Sequence, residues 1–228
     1  MLMNNLLKLE QLLNELIFSI RMIILYNTGY KKTKKCLIKV IKVMNKIESK
    51  SNMNEKVVND FINNLNQIIC SLKADLLFFY ESDPAAEDFK EIVLIYPGYY
   101  AIIVYRIAHA FANLGVKYLP RMLSEYAHNK TGIDINPKAI IGNYFFIDHG
   151  TGVVIGETTV IGNHVKIYQN VTLGALSLKE GLNLKGLKRH PTIGNNVTIY
   201  AGATILGKDT LIEDGTTIPA NSFIIKKY

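Results

Sequence analysis

The side chains best suited to moving protons or gripping charge lie in two short polar runs, Asp148-His149-Gly150-Thr151-Gly152 and Arg189-His190-Pro191. A neutral imidazole, with a reference pKa of ~6.5, can take a proton from a hydroxyl near pH 7. A guanidinium offers forked donors that match a carboxylate. Other chemistries are poorly supplied. The five histidines, His109, His128, His149, His164 and His190, include no close pair, so a zinc centre built on three histidines is not supported. The two cysteines, Cys36 and Cys70, stand in no paired motif and away from both runs. That argues against a thiol nucleophile, a disulfide framework or a four-thiolate zinc site, and it fits a reducing cytoplasm.

A repeat must position these runs. From Ile135 onward an aliphatic residue recurs at every sixth position: Ile135, Ile141 and Ile147, then Ile155, Ile161, Ile167 and Leu173, then Ile193, Ile199, Ile205 and Leu211. A six-residue period cannot hold a helical face. It fits a triangular prism in which each short strand forms one side, its aliphatic residue points to the axis, and three repeats complete a coil. Gly142-Asn143 and Gly194-Asn195 are suited to the tight corners. An ordinary β-sandwich would need nearly the whole ladder to agree by chance. Two intervals slip: Ile147 to Ile155 is eight residues, and Leu173 to Ile193 is twenty, two more than three repeats. Extra residues must leave the prism as loops, and loops on a rigid scaffold are where binding and chemistry concentrate. The first slip holds the first polar run; the second, from Gly174 to His190, ends in the second. Both loops are expected to frame one cleft. The last repeat reads as irregular, with seven residues from Leu211 to Ile218.

Before the repeat the chain reads as helices, because Leu6, Leu9, Leu13, Ile17 and Ile20, and later Val58, Phe61, Ile62, Leu65 and Ile69, recur at three- and four-residue spacing. Stops are expected at Asn27-Thr28-Gly29, Ser82-Asp83-Pro84, Pro97-Gly98 and near Gly115, and Asn52 with Glu55 resembles a capping box. With 49% hydrophobic residues over 228 positions, the chain can bury a core of its own. The apolar N-terminus is interrupted by Glu15 and Arg21, which supports neither a signal peptide nor a membrane span. A net charge of +7 permits a nucleic acid, a membrane surface or an anionic small molecule. Lys35, Lys39, Lys42 and Lys46, within the lysine run from Lys31 to Lys50, share one helical face and read as a solvated face, so neither nucleic acid nor membrane is expected as a partner. The expected organisation is α+β: an all-helical N-terminal domain over residues 1–131, then a β-helix over 132–228 with a protruding loop at about 174–190.

From about Asp83 to Ala220 the chain resembles the serine O-acetyltransferases among the hexapeptide-repeat acyltransferases. The resemblance rests on Asp134-Ile135-Asn136-Pro137, on the run from Asp148 through Gly156-Glu157-Thr158, on Arg189-His190-Pro191, and on Tyr105-Arg106-Ile107-Ala108-His109 ahead of the repeat. It implies a left-handed parallel β-helix and acetyl transfer from acetyl-CoA to L-serine in cysteine biosynthesis, by direct transfer and without a metal. It implies His149 as general base with Asp134 behind its ring, Asp83 and Asp148 at the ammonium of serine, Arg189 at its carboxylate and His190 beside it. Gly174, Ala201 and Ala220 correspond to positions along the pantetheine of CoA, and small residues there equally suit corner geometry. Glu157 belongs to the motif, with its role open between site and corner. A homotrimer or a dimer of trimers is implied, with each cleft between neighbouring prisms. The ending Ile224-Ile225-Lys226-Lys227-Tyr228 differs from the tail by which the family engages cysteine synthase, so a stable complex with that enzyme is not expected, and Lys226 and Lys227 are expected near the phosphates of CoA. The runner-up is an O-acetyltransferase acting on a sugar or polysaccharide hydroxyl; a zinc carbonic anhydrase and a non-enzymatic scaffold are the readings from other classes.

Overall fold

The computed structural model describes residues 2–47 and 54–226. Six helices come first: α1 (Leu2–Tyr26), α2 (Tyr30–Ile47), α3 (Glu55–Ser82), α4 (Phe89–Ile95), α5 (Pro97–Asn113) and α6 (Leu119–Thr131). Their apolar stripes meet, and Leu9, Leu13, Ile17, Ile20, Phe61 and Leu65 are almost wholly buried. The cap expected at Asn52 lies outside the described residues; Asn54 caps α3, its side chain accepting from the Val57 amide. Pro97 and Gly98 do not break the chain as expected. They form the first turn of α5, where a missing amide and a fixed φ are tolerated, and the break falls one residue earlier at Tyr96. Among the described residues no single helix is long and apolar enough to cross a membrane.

Among the described residues thirteen short strands follow, wound as a left-handed three-sided parallel β-helix. One side stacks β1 (Asp134–Ile135), β4 (Val154–Ile155), β7 (Thr172–Gly174), β10 (Thr204–Leu206) and β13 (Phe223–Ile224). The second stacks β2 (Ile140–Ile141), β5 (Val160–Ile161), β8 (Thr192–Ile193) and β11 (Leu211–Ile212). The third stacks β3 (Phe145–Ile147), β6 (Val165–Ile167), β9 (Thr198–Ile199) and β12 (Thr217–Ile218). The aliphatic ladder fills the axis as expected from Ile135 to Ile205. Beyond that the register differs. Leu211 is 39% exposed and Ile212 is buried, so the seven-residue interval runs from Ile205 to Ile212, and Ile212, Ile218 and Ile224 resume the six-residue period. The extra residue sits in the corner Gly207-Lys208-Asp209-Thr210, held by the Thr210 hydroxyl donating to Leu206 O at 2.5 Å.

The first coil has no coil beneath it, so its downward backbone groups need other partners. The helices supply them. Ser124 donates to Ile135 O at 2.6 Å, Tyr105 to Ala139 O at 2.7 Å and Arg106 to Gly142 O at 2.8 Å, while Asp75 accepts from the Phe145 amide at 3.0 Å. At Gly98 a methyl group would overlap the carbonyl oxygen of Ile147. That closeness sets the start of α5 directly against the end of β3, next to Asp148.

Candidate active site

Asp148, Tyr168 and Tyr200 hold equivalent corner positions on successive coils, each donating its amide to the carbonyl of the strand-end residue one coil on, Ile167, Ile199 and Ile218. The next column is Thr151, Gln169 and Ala201, whose carbonyls accept from the amides of Asn170, Gly202 and Asn221. His149 and Gly150 have no counterpart in either column. They are the two residues that make the Ile147–Ile155 interval eight, and they stand out from the prism as a bulge.

His149 adopts φ 54, a left-handed conformation that costs a non-glycine residue on the order of 1 kcal/mol. Gly150 behind it, at φ 83, has no room for a side chain because Ile133 occupies that space. The bulge is thus wedged open by packing, and the His149 ring is 71% exposed with Nε2 3.7 Å from Asp148 Oδ1. Asp134, expected behind that ring, lies on the coil below. No hydrogen bond joins Asp134 and His149 in the single chain. The Asp134 Oδ1 atom is buried without a hydrogen-bond partner, with Arg121 Nη1 at 3.8 Å. Glu125 and His128 approach the same carboxylate closely enough to form a three-ligand cluster, and Arg121 pairs with Glu125 as well.

Asp83 and Asp148 lie far apart in the sequence, yet the charges of both act on the phenols of Tyr96 and Tyr168. Asp83 ends α3, and its Oδ1 accepts from the Ala85 amide at 2.9 Å while its Oδ2 accepts from the Tyr96 hydroxyl at 2.7 Å. Burial raises the Tyr96 phenol pKa, and the hydrogen bond to Asp83 and the charges of Asp83, Glu91 and Asp148 add to the rise. Burial and the charges of Asp148 and Asp83 also raise Tyr168. The charges of Asp83 and Asp148 thus both reach the Tyr96 and Tyr168 phenols, and Asp148 adjoins the His149 bulge. The sequence reading missed Tyr96 and Tyr168, which belong to no motif.

Arg189 and His190 occupy a different edge. The long loop leaves the prism after β7, at the corner between the first and second sides, whereas His149 stands at the corner between the third and first. Within one chain the two loops do not frame a common cleft. Their separation follows from the ladder phase, since one insertion comes after Ile147 and the other after Leu173. Glu157 explains its place in the motif here: it is the partner of Arg189 Nη2, and it also receives Lys138 Nζ at 2.8 Å. Hydrogen bonds from Lys138 and Arg189 hold its carboxyl below the usual range. His190 is buried against Gly156, and its Nδ1 accepts from the Thr158 amide at 3.1 Å. Its proton must then sit on Nε2. Burial, aided by the Arg189 charge, lowers its pKa to about 4, so it is neutral near pH 7.

Ala201 lies in the Thr151 column, beside the bulge and two coils on, and Ala220 stands one coil further, where the Asn221 amide bonds to Ala201 O. Gly174 ends β7 at the far end of the first side, packed on Leu206. The protruding loop, with a short 3₁₀ turn at Gly181–Leu184, overhangs a 580 Å³ cleft whose apolar floor includes Leu176, Leu206 and Ile225 and whose rim carries Lys188, Lys208 and Lys226. Lys227 and Tyr228 lie outside the described residues.

The family model described as "Serine acetyltransferase, N-terminal" matches residues 28–103. A serine acetyltransferase of Synechococcus elongatus is 48% identical over 176 residues, which are 72% of this chain and 55% of that relative, so this chain spans little more than half of that relative's length. Serine acetyltransferase 1 of Entamoeba histolytica, solved in complex with L-cysteine, superposes with a TM-score of 0.74 at 35% identity over 95% of this chain and 86% of its own. A serine acetyltransferase solved in complex with CoA superposes with a TM-score of 0.66 at 33% identity over 75% of this chain and 68% of its own. At 48% identity over 72% of its length to one such relative, and with a structural match over 95% of its length to another, the chain belongs to the serine acetyltransferase family.

Proposed function

We propose that this protein transfers the acetyl group of acetyl-CoA to the hydroxyl of L-serine, giving O-acetyl-L-serine and CoA in cysteine biosynthesis. The observation that carries this reading is the exposed His149 on its wedged bulge beside Asp148, with the charges of Asp148 and Asp83 both acting on Tyr96. The carboxylates suit the ammonium of an amino acid. The imidazole takes the proton of the serine hydroxyl as its oxygen attacks the thioester carbonyl, then returns that proton to the departing thiolate. Asp148, and Asp134 once a substrate-bound assembly orients the ring, offset the charge of the imidazolium. Both thiols, Cys36 and Cys70, are free and lie in helices α2 and α3, which fits direct transfer and a reducing cytoplasm.

Arg189 is the group suited to the serine carboxylate, and it stands on the wrong edge of its own chain. A three-fold assembly of prisms brings the His149 edge of one copy to the Arg189 edge of the next, in the closed symmetry usual for oligomers. Leu176, Leu178, Leu182 and Leu187, all more than half exposed on the overhanging loop, suit burial against that neighbour. The relatives solved with cysteine and with CoA support a site for both an amino acid and an acyl carrier. The small side chains of Ala201 and Ala220 leave room for the pantetheine arm, and Lys208 and Lys226 at the cleft suit phosphates.

The test is thiol release from acetyl-CoA with a panel of amino acids and sugars. Serine is expected to be the preferred acceptor by at least about tenfold in kcat/KM; preference for a sugar hydroxyl would move the chain to the runner-up activity.

A further inference from the structure

We propose that Tyr96 is a positioning residue of the amino-acid pocket, acting on the substrate ammonium through Asp83. The inference rests on the amino-acid reading of the site above and adds a residue to it. Tyr96 sits at the junction of α4 and α5, closing the one helix with its amide to Ile92 O and opening the next with its carbonyl to the Tyr100 amide. Its backbone is held from both sides, and the proline ring of Pro97 fixes φ at the next position. The ring is held as well. It meets the buried Phe79 edge-on at 6.5 Å between centroids, Phe79 meets Phe146 at 4.7 Å, and Phe146 meets Tyr168 at 6.5 Å. A continuous aromatic wall therefore runs beneath the two carboxylates, with a phenol at each end.

The Tyr96 hydroxyl is the donor that complements the Ala85 amide: together they pin both oxygens of Asp83, at 2.7 and 2.9 Å. Each carboxylate oxygen keeps a further acceptor direction, so pinning leaves Asp83 able to receive an ammonium in one fixed orientation. The phenol is protonated near neutral pH at its ordinary pKa of ~10, and burial and the neighbouring carboxylates push it further up. A neutral donor bonded to Asp83 orders that carboxylate without a cation already present. Loss of the hydroxyl frees one oxygen of Asp83, and substrate binding must then restore the order that the phenol supplies in advance.

Tyr96→Phe removes one oxygen and leaves the aromatic wall and the helix junction intact. It is expected to raise KM for serine about tenfold, the scale of a hydrogen bond to a charged group, with kcat within twofold and KM for acetyl-CoA unchanged. In an Asp83→Asn background the same change is expected to have little further effect, because its route to the substrate is gone. An unchanged KM for serine in Tyr96→Phe, or an equal effect in both backgrounds, would overturn the proposal. Should the variant melt earlier than the parent, calorimetric titration of serine at a temperature where both are folded reads the same affinity change. A parent protein that releases no thiol with serine would instead refute the amino-acid reading itself.

Discussion

His149→Ala is expected to lower kcat for serine acetylation by about 10²-fold or more, the contribution of a positioned general base, with the β-helix still folded. The ring touches almost nothing in its own chain, being 71% exposed with Asp148 at 3.7 Å. Its removal therefore forfeits chemistry and little packing. The bulge itself is imposed by Gly150 against Ile133 and by the Gly152 amide bonded to Gly132 O, neither of which involves the imidazole. The one structural cost is the left-handed conformation at position 149, which alanine tolerates poorly. His149→Asn controls for it, since asparagine accepts that conformation and cannot serve as a base. Both variants should lose turnover alike while the asparagine variant melts at the parent temperature. Steady-state kinetics with melting curves reads this directly, and retention of most activity in either variant would remove His149 from its role.

The second large effect is on stability. Asp75→Ala should destabilise the fold by about 3–5 kcal/mol, the cost of stranding one member of a buried ion pair, or roughly 10 °C in melting temperature for a chain of this size. Asp75 is wholly buried and takes Arg106 Nε at 2.5 Å and Nη2 at 2.9 Å, and the same guanidinium reaches Gly142 O. Burial pushes the Asp75 carboxyl pKa upward; the Arg106 charge and hydrogen bonds, with the Phe145 and Tyr144 amides, oppose that. With the carboxylate gone, Arg106 keeps its charge in an apolar interface and the Phe145 amide loses its acceptor. A paired change to apolar residues of similar size, Asp75→Leu with Arg106→Met, should recover part of the loss because no charge is then stranded. Thermal melts of the single and paired variants test this, and a shift below about 2 °C for Asp75→Ala would show that the pair does not hold the helices on the first coil. Since β3 begins at Phe145 and runs straight into Asp148, loss of the pair should also loosen the site.

Much of this arrangement can be read from residue order, for a physical reason. A six-residue period has one structural solution, so the ladder from Ile135 to Ile205 and the eight-residue slip at His149 follow from sterics alone. The period failed where two aliphatic residues stand side by side: Leu211 and Ile212 both suit the axis, and only the corner at Gly207–Thr210 decides between them. The ladder phase also held the fact that the two loops leave at different corners, and reading them as one cleft ignored it. In the helical half, periodicity found the buried stripes, while Pro97 misled because the same residue ends one helix pattern and opens the next. The hydrogen bond of Tyr96 to Asp83, and the placing of that pair on the Asp148 side of the β-helix, depend on the docking of α5 at Gly98. Nothing local in the sequence encodes that docking. Glu157 was visible as part of a motif, but its service to Arg189 depends on a loop that folds back on the preceding coil.

A single serine-acetylating site shared between the His149 edge of one copy and the Arg189 edge of another, as proposed above, is testable by mixing variants. His149→Ala and Arg189→Ala proteins, each nearly inactive at sub-saturating serine, should be unfolded, mixed in equal amounts and refolded together. Random assembly of three-fold oligomers then gives about a quarter of the interfaces both intact edges, and about a quarter of the parental activity should return. A mixture no more active than the two variants alone would contradict the shared site.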